Sequence, residues 1–418
     1  MSNLNLKSDF PIFQTYPGLI YLDTAATSQK PQSVIDTVTN FYTRQNANIH
    51  RSAYHLAELA TQTYENTRTQ ISKFINARST NEIIFTNNTN HAINIISYGW
   101  ARKFLQSGDI IVLSEMEHHA NIVPWLRLKE EKGIKLIFLP LTKDYRLDYT
   151  SLRGADTKAT KQSPIDPSKI KLLSLTHASN VLGTINPLDE IIPHFKKLNP
   201  QTKILIDAAQ SIPHLPINVQ KLNIDFLAFS SHKMLGPSGV GVLWAKEKLL
   251  SEMDPLLTGS HMISTVTKQK ATYAALPDKF ETGTANLEGV AGLGSAIAYL
   301  QKIGIEKIIS HEQQLTQYAL AKLTQLPYLQ IYGPATPQNR LAIFSFGIKG
   351  IHPHDISQIL DHQNIAVRAG HHCAQITMQA LGVPAATRAS LYLYNTKQDI
   401  DKLITGLELV KKTLKIND

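Results

Sequence analysis

Lys203-Ile-Leu-Ile-Asp-Ala-Ala-Gln210 and Phe226-Leu-Ala-Phe-Ser-Ser-His-Lys233 decide the fold class. Each opens with a brief, near-continuous apolar run and closes in polar residues. Such runs suit strands buried on both faces of a sheet. Working outward, four more runs share this character: Glu82–Thr86, Asp109–Ser114, Lys135–Leu139 and Lys171–Leu175. Amphipathic helices are expected between them. One follows Pro31 and groups Val34, Ile35, Val38, Phe41 and Tyr42 on one face. The alternation predicts an α/β fold with a doubly wound, mostly parallel sheet.

Later in the chain the pattern shifts toward an α+β unit. Leu341–Phe346 reads as a strand, His354–Gln363 as a helix, and a last helix carries Ile400, Leu403, Ile404, Leu407 and Leu414 behind a Thr396/Asp399 capping box. The polar, Pro-bearing stretch Gly154–Ser168 reads as a surface loop.

Composition removes several classes. The 418 residues, at roughly 150 per domain, allow two or three domains. With 43% hydrophobic and 18% charged residues the chain can bury a core and is too apolar to be disordered. A single cysteine excludes a disulfide scaffold and Cys-rich metal sites, and no metal is expected. Neither the N-terminus nor the polar-studded Ile83–Ala101 stretch reads as a signal peptide or membrane span, so a cytoplasmic protein is expected. The net charge of +9 is scattered, with no nucleic-acid-binding signature, and suits an anionic ligand or acidic partner.

In an open parallel sheet, ligands bind beyond the carboxyl ends of the strands. Asp207 and Lys233 both follow predicted strands. Alone, the first reads as a helix cap and the second as a solvated turn lysine. Together they match what pyridoxal phosphate needs: a carboxylate to keep the ring nitrogen protonated and an amine to form an imine. An ordinary lysine, of pKa about 10.4, is neutral only about one part in a thousand near pH 7.4. Burial beside His232 and a cationic ring is expected to lower that pKa.

Other groups follow other strands. Thr86-Asn-Asn-Thr-Asn90 opens a helix whose N–H groups suit an anion. Glu117-His118-His119 offers a flat imidazole, and Asn180 an amide. Arg388 offers a guanidinium fork for a carboxylate. Cys373 follows Arg368, Gly370, His371 and His372, positive or unusual neighbours that favour a nucleophile over a buried small side chain.

With these residues assembled, the chain resembles the cysteine desulfurases, and closely their SufS-type (group II) branch. The shared stretches are YLDTAATSQKP (21–31), EHHANIVPW (117–125), THASNVLGT (176–184), LIDAAQS (205–211), FSSHKMLGPSGVGVLW (229–244), FETGTAN (280–286), VRAGHHCA (367–374) and TRASLYLYNT (387–396). The resemblance implies a fold type I pyridoxal phosphate-dependent transferase, with a large domain over 20–270. Residues 1–19 and 271–418 would form a smaller domain carrying the N-terminal arm and the Cys loop. It implies imine formation at Lys233, with Asp207 on the pyridinium and Gln210 on the ring hydroxyl. Ser230, His232, Thr89 and Asn90 would hold the phosphate, and His118 would stack on the ring. Asn180, Arg388 and Arg368 would bind substrate, and Cys373 would accept sulfur. Thr284 would reach the phosphate of the other subunit in a homodimer.

The implied reaction converts L-cysteine to L-alanine and hands a persulfide to an acceptor protein of the SufE/SufU type, for iron–sulfur cluster assembly. Selenocysteine lyase and cysteine sulfinate desulfinase activities stay open on the same residues, as does a non-catalytic basic binding protein keeping the fold. One departure stands out. Asn87-Asn-Thr-Asn90-His91 occupies the place where the family usually carries Arg-Gly-Thr-Thr-Glu, so Asn90 and His91 replace a hydroxyl and a glutamate that would pair with Arg368.

Overall fold

A computed structural model of the chain describes residues 4, 6–50, 52–152 and 165–416. Seven strands form the main sheet: β1 (Ile83–Thr86), β2 (Ile110–Ser114), β3 (Lys135–Leu139), β4 (Ile170–Thr176), β5 (Lys203–Asp207), β6 (Phe226–Ser230) and β7 (Gly241–Ala245). Their spatial order is β1-β7-β6-β5-β4-β2-β3. The pairs β3/β2, β2/β4, β4/β5 and β5/β6 are parallel, and β7 runs antiparallel to both its neighbours. The sheet is mostly parallel, as expected; β7 is the strand the sequence did not announce.

The apolar runs work because the pleat sends alternate residues to two cores. Ile110 and Val112 join one cluster with Ile204, Ile206, Leu227 and Phe229. Ile111 and Leu113 join the other with Leu205, Phe226 and Ala228. All are buried, at roughly 1.5–3 kcal/mol for a large apolar side chain.

The helices include α1 (Gln32–Arg44), α2 (His55–Phe74), α3 (Thr89–Ile96), α4 (Val123–Lys132), α5 (Leu188–Leu198), α6 (Leu287–Ile303) and α7 (Ile305–Leu323). Helix α6 packs on α1 and α2 and shares the first core with the main sheet. On α1, Val34 and Phe41 are buried, whereas Ile35 and Tyr42, expected on the same face, stay exposed on this chain. The face turned to α6 accommodates only part of the apolar stripe.

A second, antiparallel sheet comprises β8 (Leu329–Tyr332), β9 (Ile343–Ile348), β10 (Arg368–Gly370) and β11 (Ala386–Ser390), ordered β8-β9-β11-β10. Helices α8 (Pro353–Asp361) and α10 (Lys397–Thr413) pack together, while α9 (Gln375–Ala380) follows the Cys373 loop. The Thr396/Asp399 capping box opens α10. Ile400, Leu403 and Leu407 are buried there, and Ile404 and Leu414 pack partly against the same core. Ile20–Tyr21 joins this unit by pairing in parallel with Ile365–Ala366, whereas Phe10 and Phe13 of the preceding arm pack in the first core. The expected surface loop Gly154–Ser168 lies mostly outside the described residues; its end forms a short turn, Pro167–Lys169, capped by Asp166. Among the described residues, no helix is long and apolar enough to cross a membrane.

Candidate active site

The carboxyl ends of β4, β5 and β6 finish at Thr176, Asp207 and Ser230, side by side in the sheet. All three line a cavity of about 280 Å³. Lys233, on the turn after β6, lines it too, with His118, Asn180, Gln210 and His232. Arg368 and Arg388 reach the same cavity from the second sheet, Cys373 from the loop between β10 and α9, and Thr89 and Asn90 from the start of α3. Thr284 does not. It borders two other cavities, of about 260 and 100 Å³.

The floor is rigid. Asp207 is buried, and its Oδ1 accepts the Ala209 N–H at 2.9 Å, which leaves the second oxygen for a cationic partner. Burial raises its pKa, and Lys233 opposes the rise. Burial lowers the Lys233 ammonium to about 8, helped by Arg388 and Arg368 and opposed by Asp207. The expected lowering by burial is therefore present, and the two arginines add to it. Burial first and Lys233 second push His118 down to about 3, so its ring is neutral. His232, lowered to about 4 by burial, is neutral as well.

The anion end rests on close backbone approach. Thr89 donates its N–H to Ser230 Oγ at 2.8 Å, and the two hydroxyls lie 2.7 Å apart. Asn88 caps α3 by accepting the His91 N–H at 2.9 Å. A Cβ on Gly241 would meet Asn88 backbone atoms at 2.5 Å, so only glycine at the head of β7 lets α3 start here. Asn90 is exposed and its side chain accepts from Asn94 Nδ2 at 3.1 Å. His91 Nδ1 accepts the Asn87 N–H at 3.2 Å and borders the Thr284 cavity, whereas Arg368 borders the first.

The opposite wall is held by backbone carbonyls. Arg388, buried, donates to Asp23 Oδ1 at 2.8 Å and to Asn180 O at 3.0 Å. Asn180 Nδ2 donates to His372 O at 2.9 Å. His119 N–H donates to Cys373 O at 2.8 Å, and Gln375 N–H to His119 Nε2 at 3.0 Å. His372 and Cys373 both sit at φ 55°, after Gly370 at φ 129°. Consecutive left-handed, non-glycine residues store backbone strain. They also leave the Cys373 side chain partly exposed, on the cavity.

Two groups that sequence reasoning did not select complete the arrangement. Glu117 is fully buried and accepts from Ser114 Oγ at 2.5 Å, Asn121 Nδ2 at 2.7 Å and Thr176 N at 3.0 Å. It ties the His118 loop to the end of β4, and burial raises its carboxyl to about 8. Lys30 donates to Ser28 O and His232 O, and burial lowers it to about 7. The EHHANIVPW and YLDTAATSQKP stretches contain both residues, but nothing local reveals their long-range partners.

Two buried polar atoms on residues that line the cavity have no hydrogen-bond partner among the described residues: Arg388 Nε, a donor, and His372 Nδ1, an acceptor because the neutral ring's Nε2 donates to Ala386 O. Buried polar groups left unpaired call for a partner. A carboxylate, a hydroxyl-backed helix N-terminus, a lysine of lowered pKa and a neutral imidazole around one cavity form a donor set that fits pyridoxal phosphate.

Comparison with known families agrees: the aminotransferase class-V model matches residues 20–403. The chain belongs to the aminotransferase class-V family. A probable cysteine desulfurase of Streptomyces coelicolor is 45% identical over 97% of this chain and 96% of its own length. A cysteine desulfurase of Salmonella typhimurium is 43% identical over 98% of each. The crystal structure of the Escherichia coli cysteine desulfurase CsdA, with an S-sulfonic acid, superposes with a TM-score of 0.88 at 34% identity over 99% of both chains. The apo cysteine desulfurase of Thermococcus onnurineus gives 0.89 at 34% identity, over 97% of this chain and 98% of that one. This class-V chain is thus a full-length relative of cysteine desulfurases, with the fold type I architecture expected from its sequence.

Proposed function

We propose that the protein binds pyridoxal phosphate in the 280 Å³ cavity and converts L-cysteine to L-alanine, passing sulfur through a persulfide on Cys373. The observation that carries this reading is the meeting on one cavity of Asp207 and Lys233, at the ends of main-sheet strands β5 and β6, with Cys373, in the loop after β10 of the second sheet. Bound there, the cofactor would supply an electron sink for negative charge at the substrate Cα. Asp207 would hold the charge on the ring nitrogen, with Gln210 at the ring hydroxyl and His118 on its face. Thr89, Asn90, Ser230, His232 and the α3 N-terminus would hold the phosphate.

Asn180, Arg388 and Arg368 would fix the substrate carboxylate, the orphaned Arg388 Nε being one donor to spare. Lys233, neutral in a large fraction near pH 8, would take the Cα proton at Nζ. Cys373 Sγ, as thiolate, would attack the substrate sulfur. The S–S bond forms as the Cβ–S bond breaks, the electron pair stays with the alanine fragment, and His118 relays the proton that completes alanine. Short carbonyl-pinned backbone on either side of Cys373 supports hand-off to a dedicated acceptor of the SufE/SufU type, for iron–sulfur cluster assembly.

The exclusion of Thr284 from the first cavity supports a homodimer in which it serves the partner's phosphate. We place the large domain at 20–270, with α6 packed on it, and the small domain in 1–19 and 271–418. The site of action is the cytoplasm. Purified protein mixed with L-cysteine and a reductant should release equimolar alanine and sulfide, and intact mass after brief exposure should rise by a sulfur that reductant removes. Absence of both, with cofactor bound, would overturn the reading; parallel assays with selenocysteine and cysteine sulfinate rank the alternatives.

A further inference from the structure

Beyond the first cavity, three potential metal ligands meet. His50 lies in the chain between α1 and α2, His261 in the turn Ser260–Met262, and Asp278 at the head of the turn Asp278–Phe280. One donor atom from each lies within 4.8 Å of the other two. We propose that His50, His261 and Asp278 bind a divalent transition-metal ion.

The two rings are 6.1 Å apart at 54°, tilted toward each other rather than stacked. His50 and His261 also border the cavity of about 100 Å³ that Thr284 lines. In a tetrahedral zinc site, bonds of about 2.0–2.2 Å put donors about 3.4 Å apart, so closure requires shifts of about 1.5 Å or less. Two imidazoles and one carboxylate, without thiolate, suit zinc and its neighbours in the first transition row. Three protein ligands leave a fourth position for water.

A supporting shell is already built. His50 Nε2 lies 3.2 Å from Glu65 Oε1, the carboxylate–imidazole pairing that fixes the tautomer of a ligating histidine. Glu65 is itself held by the buried Arg68, Nε to Oε2 at 2.9 Å. His50 sits at φ 69° and the residue before His261, Ser260, at φ 62°, a strained backbone on two of the three ligand segments. An ion here would tie the chain ahead of α2 to the segment that leads into Thr284. None of the three residues lines the first cavity of the same chain; under the proposed dimer, the Thr284 cavity that His50 and His261 border would face the partner's site, so the test reads metal binding rather than turnover.

The test uses the full-length holoenzyme carrying Cys373→Ala, so that the thiol cannot compete, after treatment with chelator. Cobalt(II) is titrated while its visible ligand-field absorption is followed, and zinc is titrated against a chromogenic chelator. One equivalent per chain is expected to bind, with the band intensity of four-coordinate cobalt. His261→Ala and Asp278→Ala should each weaken zinc by at least about a hundredfold. Glu65→Gln should weaken it by roughly tenfold to a hundredfold. His362→Ala, an exposed histidine elsewhere, should leave binding unchanged. Cofactor absorbance and circular dichroism confirm folding, and either ligand variant suffices if the other misfolds. No stoichiometric binding, or binding that both ligand variants leave intact, would overturn the proposal.

Discussion

The floor of the first cavity and the Cys373 wall achieve position by different means. On the floor, Asp207 and Ser230 end central strands whose every residue is buried or nearly so, and Lys233 follows within three residues. The sheet fixes their backbone, and the Ala209 and Thr89 N–H groups hold the Asp207 and Ser230 side chains. The wall, by contrast, hangs from backbone carbonyls caught by His119, Asn180 and Arg388 and passes through two left-handed residues. The floor is suited to hold a group throughout a reaction, and the wall to present a side chain that is charged and discharged with sulfur. Under the proposed function, the difference predicts that cofactor binding and sulfur transfer are separable by mutation.

The largest effect that could break this comparison is on the floor. Lys233→Ala should abolish the borohydride-bleachable chromophore and lower turnover by several orders of magnitude, the scale for removing a covalent group. Peptide mapping of a borohydride-fixed adduct to another lysine would sink the assignment. A graded version uses pH. The neutral amine is the reactive form, and its share rises with pH through about 8. Capture of pyridoxal phosphate by the cofactor-free protein should therefore speed up about tenfold per unit below that value and level off above it. Stopped-flow absorbance reads the profile; an inflection at the ordinary lysine value, above 10, would deny the burial effect.

A smaller change tests how the His118 loop joins the floor. Glu117→Ala strips acceptors from Asn121 and the Thr176 N–H, at about 1–3 kcal/mol for each group left buried and unpaired. Denaturant melts should show that loss, and unchanged stability would mean that the network is replaced by water. Smallest of all is Asn90→Thr. Because Asn90 is exposed and engaged with Asn94, cofactor affinity should move by less than about threefold, as read by equilibrium dialysis.

The same contrast explains what could be read from sequence. Buried parallel strands spell themselves as apolar runs, so β1 to β6 and the residues that follow them were legible. Strand β7 was not, because Gly241-Val-Leu-Trp-Ala245 emerges from a Gly/Pro-rich turn and pairs antiparallel at a position no local pattern encodes. Lys233, Asp207 and Cys373 were legible through residue type and neighbours. Glu117 and Lys30 were not, since their roles consist of hydrogen bonds to distant segments. Ile35 and Tyr42 mark the opposite failure, where helical periodicity overstated how much of α1 this chain buries. The departure at His91 also needed structure, which pairs it with Asn87 and turns it toward the Thr284 cavity.

Cys373→Ala tests the central claim most directly. The wall loses its only thiol while every floor contact remains, so the variant should keep its cofactor absorbance and its response to added L-cysteine. Alanine release, followed by amino-acid analysis, should fall by several orders of magnitude, and the transient mass gain of one sulfur should vanish. Near-wild-type alanine release from L-cysteine by this variant would contradict the account.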